Sequence, residues 1–348
     1  MPTRPRSSSS ARISSAIVVA ATLVAVPPAA LAQSGEVNVY TYREAKLVAP
    51  LFEAFTKDTG IKVNTISASS GLEQRIATEG ANSPADVLLT VDIGRLKEAI
   101  DLGVAQPIKS DVLDKVVPAQ YRDPNGLWYA ASARARVVYA SKARVAQNEI
   151  TYEELADPKW KGRVCIRSGQ NIYNNALFAA AVAHYGEAKA EEWLKGLKAN
   201  LAQKPSGGDR EVARDIAAGK CDIGVGNTYY WALMSEREPD KKAWAEATKV
   251  ILPTFQGHGT HMNVSGVILA KNAPNKANGL KLIEWLVGEQ AQKIYADMNF
   301  EYPIRSGVKP HAVIAAYGEL AADPLPIATI ADNKKKAATL VDKVGFDN

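Results

Sequence analysis

The chain has 348 residues, 47% of them hydrophobic and 23% charged, with a formal net charge of +5. A chain of that length buries a large core and divides most readily into two domains. Without Arg4, Arg6 and Arg12 at its start, 39 basic residues face 37 acidic ones, a near-neutral balance that gives no basis for binding nucleic acid or a membrane surface.

Those three arginines precede an apolar run over 13–26, and Ala30-Leu31-Ala32 supplies the small-x-small pattern at which a signal peptidase cuts. This order predicts a secretory signal peptide over residues 1–32. The competing reading, a membrane anchor, needs roughly 20 apolar residues; here the run is shorter and is interrupted by Ser14, Ser15 and Thr22. The mature chain is therefore expected in the bacterial periplasm, as a monomer without membrane insertion.

In chain order, residues 37–40 read as a strand, 47–58 as a helix with Leu47, Leu51, Phe52 and Phe55 at helical spacing, and 60–64 as a turn into a second strand. A short helix over 71–80, a strand over 85–90 and a helix over 95–101 follow. This alternation predicts a parallel sheet with helices on both faces. The pattern then restarts: a strand at 137–139, a short helix and turn over 152–162, a strand at 163–167, helices over 174–186, 188–197 and 211–218, and a strand at 222–225. Residues 264–269 read as a strand, 277–287 as an amphipathic helix, and 309–348 as helical with a break near Pro324 to Pro326. Lys334 to Lys336 read as a solvated helix face.

Two sheets in succession predict two lobes. If the strand at 264–269 returns to the first sheet, both lobes are discontinuous: 36–136 plus 260–307, and 137–259 plus 308–348, joined by a hinge of crossing strands.

Three tyrosines stand just beyond two of the predicted strands: Tyr173 after 163–167, and Tyr229 and Tyr230 after 222–225. Ligands of α/β domains bind at the carboxyl ends of parallel strands, so the two ends can aim three phenols at one point. Phenolate oxygen is a hard anionic donor that suits Fe3+. Against this stands the ordinary fate of a tyrosine, half-buried in the core with a satisfied hydroxyl. Cys165 and Cys221 each lie eight residues ahead of a tyrosine, Tyr173 and Tyr229. On neighbouring parallel strands they share one level, either as a disulfide or as two buried thiols.

Several segments together resemble the periplasmic ferric-ion-binding proteins, the solute-binding components of iron ABC transporters. They are residues 37–44 (VNVYTYRE), 83–92 (SPADVLLTVD), 134–137 (RARV), 155–163 (LADPKWKGR), the Tyr173 segment, 226–230 (GNTYY) and 259–266 (GTHMNVSG). The resemblance spans the mature chain. It implies a two-lobed α/β binding protein of type II, each lobe a mixed or parallel sheet flanked by helices. It implies Fe3+ as the transported ligand, with Fe2+ a second possibility for the cargo, and delivery to an inner-membrane permease driven by a cytoplasmic ATPase.

In the tyrosine-rich branch of that family the second-lobe ligands map onto Tyr173, Tyr229 and Tyr230. The first lobe there offers a histidine and a tyrosine where this chain has Glu44 and Ala45. Tyr42 is the expected replacement ligand, with Glu44 as the alternative. Arg43 is placed to offset phenolate charge or to hold a carbonate bound beside the metal, and Arg134 and Asn227 are placed around the ligands.

His258 and His261 are further candidates for a ligand role, weighed against structural ones. No Gly-x-Ser-x-Gly, His-Glu-x-x-His or phosphate-loop pattern occurs in the sequence, so catalysis has little support. The alternative function is binding of an organic solute or oxyanion such as a polyamine, thiamine or phosphonate, with the tyrosines stacking on the solute.

Overall fold

A computed structural model describes residues 35–348; the expected signal peptide over 1–32 lies outside the described residues. The described residues contain nine strands: β1 (Glu36–Thr41), β2 (Lys62–Ser67), β3 (Val87–Leu89), β4 (Ala105–Gln106), β5 (Tyr129–Ser141), β6 (Val164–Cys165), β7 (Ile223–Asn227), β8 (Thr248–Ile251) and β9 (Met262–Ala270). Their order is β2-β1-β3-β9-β5-β7-β6, with β4 added to β9 and β8 to β5.

β1 runs parallel to β2 and β3, as the alternation of strand and helix predicts. β9 then returns antiparallel between β3 and β5. The 13-residue β5 changes partners along its length. It pairs with β9 from Tyr129 to Ala135, and with β7 from Arg136 to Ala140. One strand thus carries the chain from one set of strands to the other. Among the described residues no helix is long and apolar enough to cross a membrane.

Local sequence explains the main elements. The helix Ala45–Thr59 buries Leu47, Val48, Leu51, Phe52 and Phe55 as one stripe. It stops at Gly60, whose φ of 72° lets its N–H reach back to the Thr56 carbonyl. The helix Ile172–Tyr185 is buried from Tyr173 to Val182, so its many alanines are packing residues that let neighbours approach. Phe178 at its centre meets Trp193 and Phe346 edge-on, each with ring centroids 5.5 Å apart.

Cys165 and Cys221 form a disulfide with Cα atoms 5.8 Å apart, which settles the choice left open by spacing. β6 and β7 are parallel neighbours, with Val164 opposite Ile223. Three expectations need correction. The two sheets expected in succession are joined through β5 into one nine-stranded sheet, because that strand is long enough to pair with β9 and then with β7. The strand predicted at 163–167 is only two residues long, and Lys334 is not on a solvated face. Its ammonium pairs with buried Asp92 at 2.6 Å and donates to the Ile172 carbonyl at 3.2 Å.

Candidate metal centre

Two helix starts meet at the carboxyl ends of β6 and β7. Tyr173 is the second residue of the helix Ile172–Tyr185, whose Asn171 side chain caps the Tyr173 N–H at 3.0 Å. Tyr229 and Tyr230 are the second and third residues of the helix Thr228–Glu236, which begins directly after β7. Gly226 is required at the end of β7, because a Cβ there would lie 2.3 Å from the Tyr139 ring. Tyr139 in turn donates its hydroxyl to the Asn227 carbonyl, which fixes the residue before the tyrosine pair.

The three phenols converge. The Tyr173 and Tyr229 hydroxyls are 3.4 Å apart, and the Tyr229 and Tyr230 rings have centroids 4.2 Å apart at 35°. Tyr173 and Tyr229 are 8% and 4% exposed, so the cluster is largely shielded from water. Burial, followed by Tyr173 and Tyr230, pushes the Tyr229 phenol well above its ordinary value. Burial, followed by Tyr173 and Asp209, raises Tyr230 as well. Without a cation these two phenols stay protonated. A trivalent ion placed among them reverses that preference.

Positive charge surrounds the cluster. The guanidinium of Arg134 lies 6.0 Å from the Tyr229 ring, those of Arg136 and Arg167 lie 5.9 and 5.4 Å from the Tyr173 ring, and that of Arg210 lies 4.6 Å from the Tyr230 ring. The N-terminal ends of two helices add partial positive charge. Buried Asp209 anchors this layer. Its Oδ2 accepts from Arg136 Nη1 at 2.6 Å and from the Asn227 N–H at 2.9 Å, and its Oδ1 accepts from Arg167 at 3.2 Å. Burial alone would raise the Asp209 pKa, but Arg136 and Arg167 outweigh it and hold the carboxylate ionised. The Asn227 side chain accepts from Arg136 at 3.1 Å.

Tyr42 and Glu44 are placed differently. Tyr42 donates its hydroxyl to Glu73 and accepts from the Leu72 N–H at 2.6 Å, while Arg95 stacks 3.5 Å from its ring centroid. Burial, then the bond to Glu73, pushes its phenol up to about 12. Glu44 is exposed, 3.3 Å from Lys46 and 4.0 Å from Arg210, so it approaches the cluster by way of the arginine that stacks on Tyr230.

Arg43 is no surface arginine. It is buried, donates to Glu301 at 2.7 Å and to Ser265 at 2.9 Å, and leaves Nε and Nη2 unpartnered. Arg134 shares Glu301. His261 is buried with neither ring nitrogen hydrogen-bonded, and burial, followed by Arg136, pushes it down to about 3. His258 stacks on His184. Glu301, Asp209, Arg167, Arg210 and Glu73 were not found from sequence. The alternating Arg134 and Arg136 within β5 were the available signal, since two buried guanidinium groups require anions nearby.

Residues 40–293 match the family of bacterial extracellular solute-binding proteins. The chain belongs to that family. Iron uptake protein A1 of Synechocystis is 42% identical over 314 residues, covering 89% of this chain and 87% of that one. Among solved structures, the Bordetella ferric binding protein superposes with a TM-score of 0.84 at 56% identity, over 90% of this solute-binding protein and all of the other. A Trichodesmium protein in complex with iron and citrate superposes with a TM-score of 0.85 at 42% identity, over the same shares of the two chains. These similarities bear out the family resemblance read from the sequence and its type of fold, a two-lobed α/β binding protein.

Proposed function

We propose that this solute-binding protein captures Fe3+ in the periplasm and delivers it to an ABC permease powered by a cytoplasmic ATPase, acting as a monomer and without catalysis. The observation that carries this reading is the convergence of Tyr173, Tyr229 and Tyr230 inside a shell of four arginines. Three phenolates balance the charge of one Fe3+ and supply the hard oxygen donors it prefers. The iron-named relatives support the same cargo.

The proposed lobes are 36–136 plus 260–307 and 137–259 plus 308–348. The change of partner along β5 at Ala135 and Arg136 supports this division. Iron binding displaces phenol protons, and preference of the ion for ligands held together draws the lobes closed. Tyr42 is the proposed first-lobe ligand, but it reaches the ion only by giving up Glu73. Glu44 is the alternative. A carbonate bound beside the ion has available donors in Asn227 Nδ2 and in Arg43 Nε and Nη2, which have no hydrogen-bond partner.

The deciding experiment adds chelated Fe3+ to iron-free protein. The expected result is one iron per chain by elemental analysis and a visible phenolate-to-iron charge-transfer band. A colourless, iron-free product, with calorimetric binding of a polyamine, thiamine or phosphonate instead, overturns the proposal.

A further inference from the structure

Outside the tyrosine cluster, His184, His258 and Asp323 bring one ring nitrogen each and a carboxylate oxygen within 4.8 Å of one another. We propose that these three residues form a second metal site, selective for a borderline divalent cation of the Zn2+ or Co2+ kind. His184 sits near the end of the helix whose second residue is Tyr173, so about 16 Å of helix separates the two positions at 1.5 Å per residue.

Three distant segments build the site, and the backbone holds two of them together. The Thr260 N–H donates to the Ala321 carbonyl at 2.7 Å, and the Asp323 N–H donates to the Thr260 carbonyl at 2.9 Å. Gly259 permits this contact, since a Cβ there would lie 2.4 Å from the Ala321 oxygen and 2.5 Å from the Asp323 nitrogen. The loop carrying His258 is thereby pinned against the segment carrying Asp323. Asp323 Oδ1 accepts from the Leu325 N–H at 3.1 Å, which turns Oδ2 toward His184 Nε2 at 2.7 Å. The His184 ring packs against Phe255 with centroids 4.7 Å apart.

The third donor is adjustable. His258 is exposed and its ring centroid is 4.1 Å from that of His184, so a modest swing brings its nitrogen into a shared shell. Two imidazoles and a carboxylate suit Zn2+ or Co2+ and leave a fourth position for water. The entering ion takes the place of the hydrogen bond between His184 Nε2 and Asp323 Oδ2, and the neutral imidazole ligates through Nε2 with its one proton on Nδ1. Fe3+ has the harder phenolate site and gains little here.

The test uses untagged protein stripped of metal, titrated with Co2+ and read by its d–d absorption and by elemental analysis after gel filtration, with Zn2+ as competitor. One Co2+ per chain is expected, both in the wild-type protein and in a triple variant Tyr173→Phe, Tyr229→Phe, Tyr230→Phe. His258→Ala, at an exposed position, should weaken Co2+ and Zn2+ at least about tenfold with an unchanged unfolding curve, and Asp323→Asn should do the same if it folds. Of the four histidines in the chain, Zn2+ should move the NMR signals of His184 and His258 and leave that of His311 in place. Wild-type affinity in His258→Ala, binding only at millimolar metal, or loss of Co2+ in the triple tyrosine variant would each overturn the proposal.

Discussion

Arg43 and Arg134 donate to the same carboxylate oxygen, Glu301 Oε1, at 2.7 and 2.9 Å. Both arginines and the acid are buried, and Ser132 gives Oε2 a further bond at 2.5 Å. Arg43 lies two residues past β1, Arg134 lies in β5, and Glu301 follows the helix Glu289–Asn299. The triad therefore ties the loop after β1 to the crossing strand, close to where the guanidinium of Arg134 faces Tyr229.

Removing that shared charge should destabilise the fold. Glu301→Gln leaves two buried guanidinium groups without their anion, a change of the kind that costs about 3–5 kcal/mol. Chemical denaturation at neutral pH should show this loss with an unchanged slope against denaturant. A loss under about 1 kcal/mol would mean the triad is neutral in this fold.

The pH dependence has a definite sign. Burial alone would raise Glu301, but Arg43 and Arg134 outweigh it and lower its pKa; Asp209 is lowered by Arg136 and Arg167 in the same way. Stability linked to a lowered acid is fully present above the unfolded value, about 4.3 for Glu and 3.9 for Asp. It is lost as pH falls through the lower folded values. Melting temperature should hold from neutrality to about pH 5 and fall steeply below about pH 4, and Glu301→Gln should flatten part of that fall. Equal acid sensitivity in the variant would assign the transition to other carboxylates.

The same residues show why part of the site was hidden in the sequence. Tyr173, Tyr229 and Tyr230 were readable because each stands where the chain passes from a strand into the first turn of a helix, a purely local pattern. The partners of the arginines were not, since Glu301 lies 167 residues from Arg134 and Asp209 lies 73 residues from Arg136. Alternation of Ala with Ser132, Arg134 and Arg136 over 131–136 looks half-solvated, so only the apolar end of β5 was legible as a strand. Its thirteen residues are all buried because distant carboxylates neutralise the guanidinium groups. Tyr42 and Glu44 stand two residues apart as candidates for one role, and nothing local indicates that Glu73 or Arg210 waits for them.

The disulfide should matter for stability more than for iron. Cys165 and Cys221 close a loop across a separation of 56 residues, for which chain entropy gives about 4 kcal/mol. Cys165→Ala with Cys221→Ala should lower the denaturant midpoint accordingly. Once folded, the variant should keep the charge-transfer band, because the phenols are positioned by the caps and strand ends beyond the bridge. Loss of the band in protein that is folded by circular dichroism would show that the bridge also sets ligand geometry.

Phenylalanine substitutions separate ligands from packing residues, because they delete the oxygen and retain the ring. For a tyrosine that only fills space the change costs about 1 kcal/mol, the value of one hydrogen bond. For Tyr173, Tyr229 and Tyr230 it should weaken iron binding by orders of magnitude and shift or bleach the charge-transfer band, while apo-protein stability changes little. Tyr42→Phe is the informative fourth variant, since the Tyr42 hydroxyl already has both a donor and an acceptor partner in Leu72 and Glu73. If Tyr42 leaves Glu73 to ligate iron, Tyr42→Phe weakens binding and Glu44→Gln does not. The reverse outcome moves the first-lobe contact to Glu44, next to Arg210 and Lys46. Full affinity in both variants would leave the three second-lobe tyrosines as the chain's whole ligand set. Full affinity and colour in all three second-lobe variants would end the iron-tyrosinate reading itself.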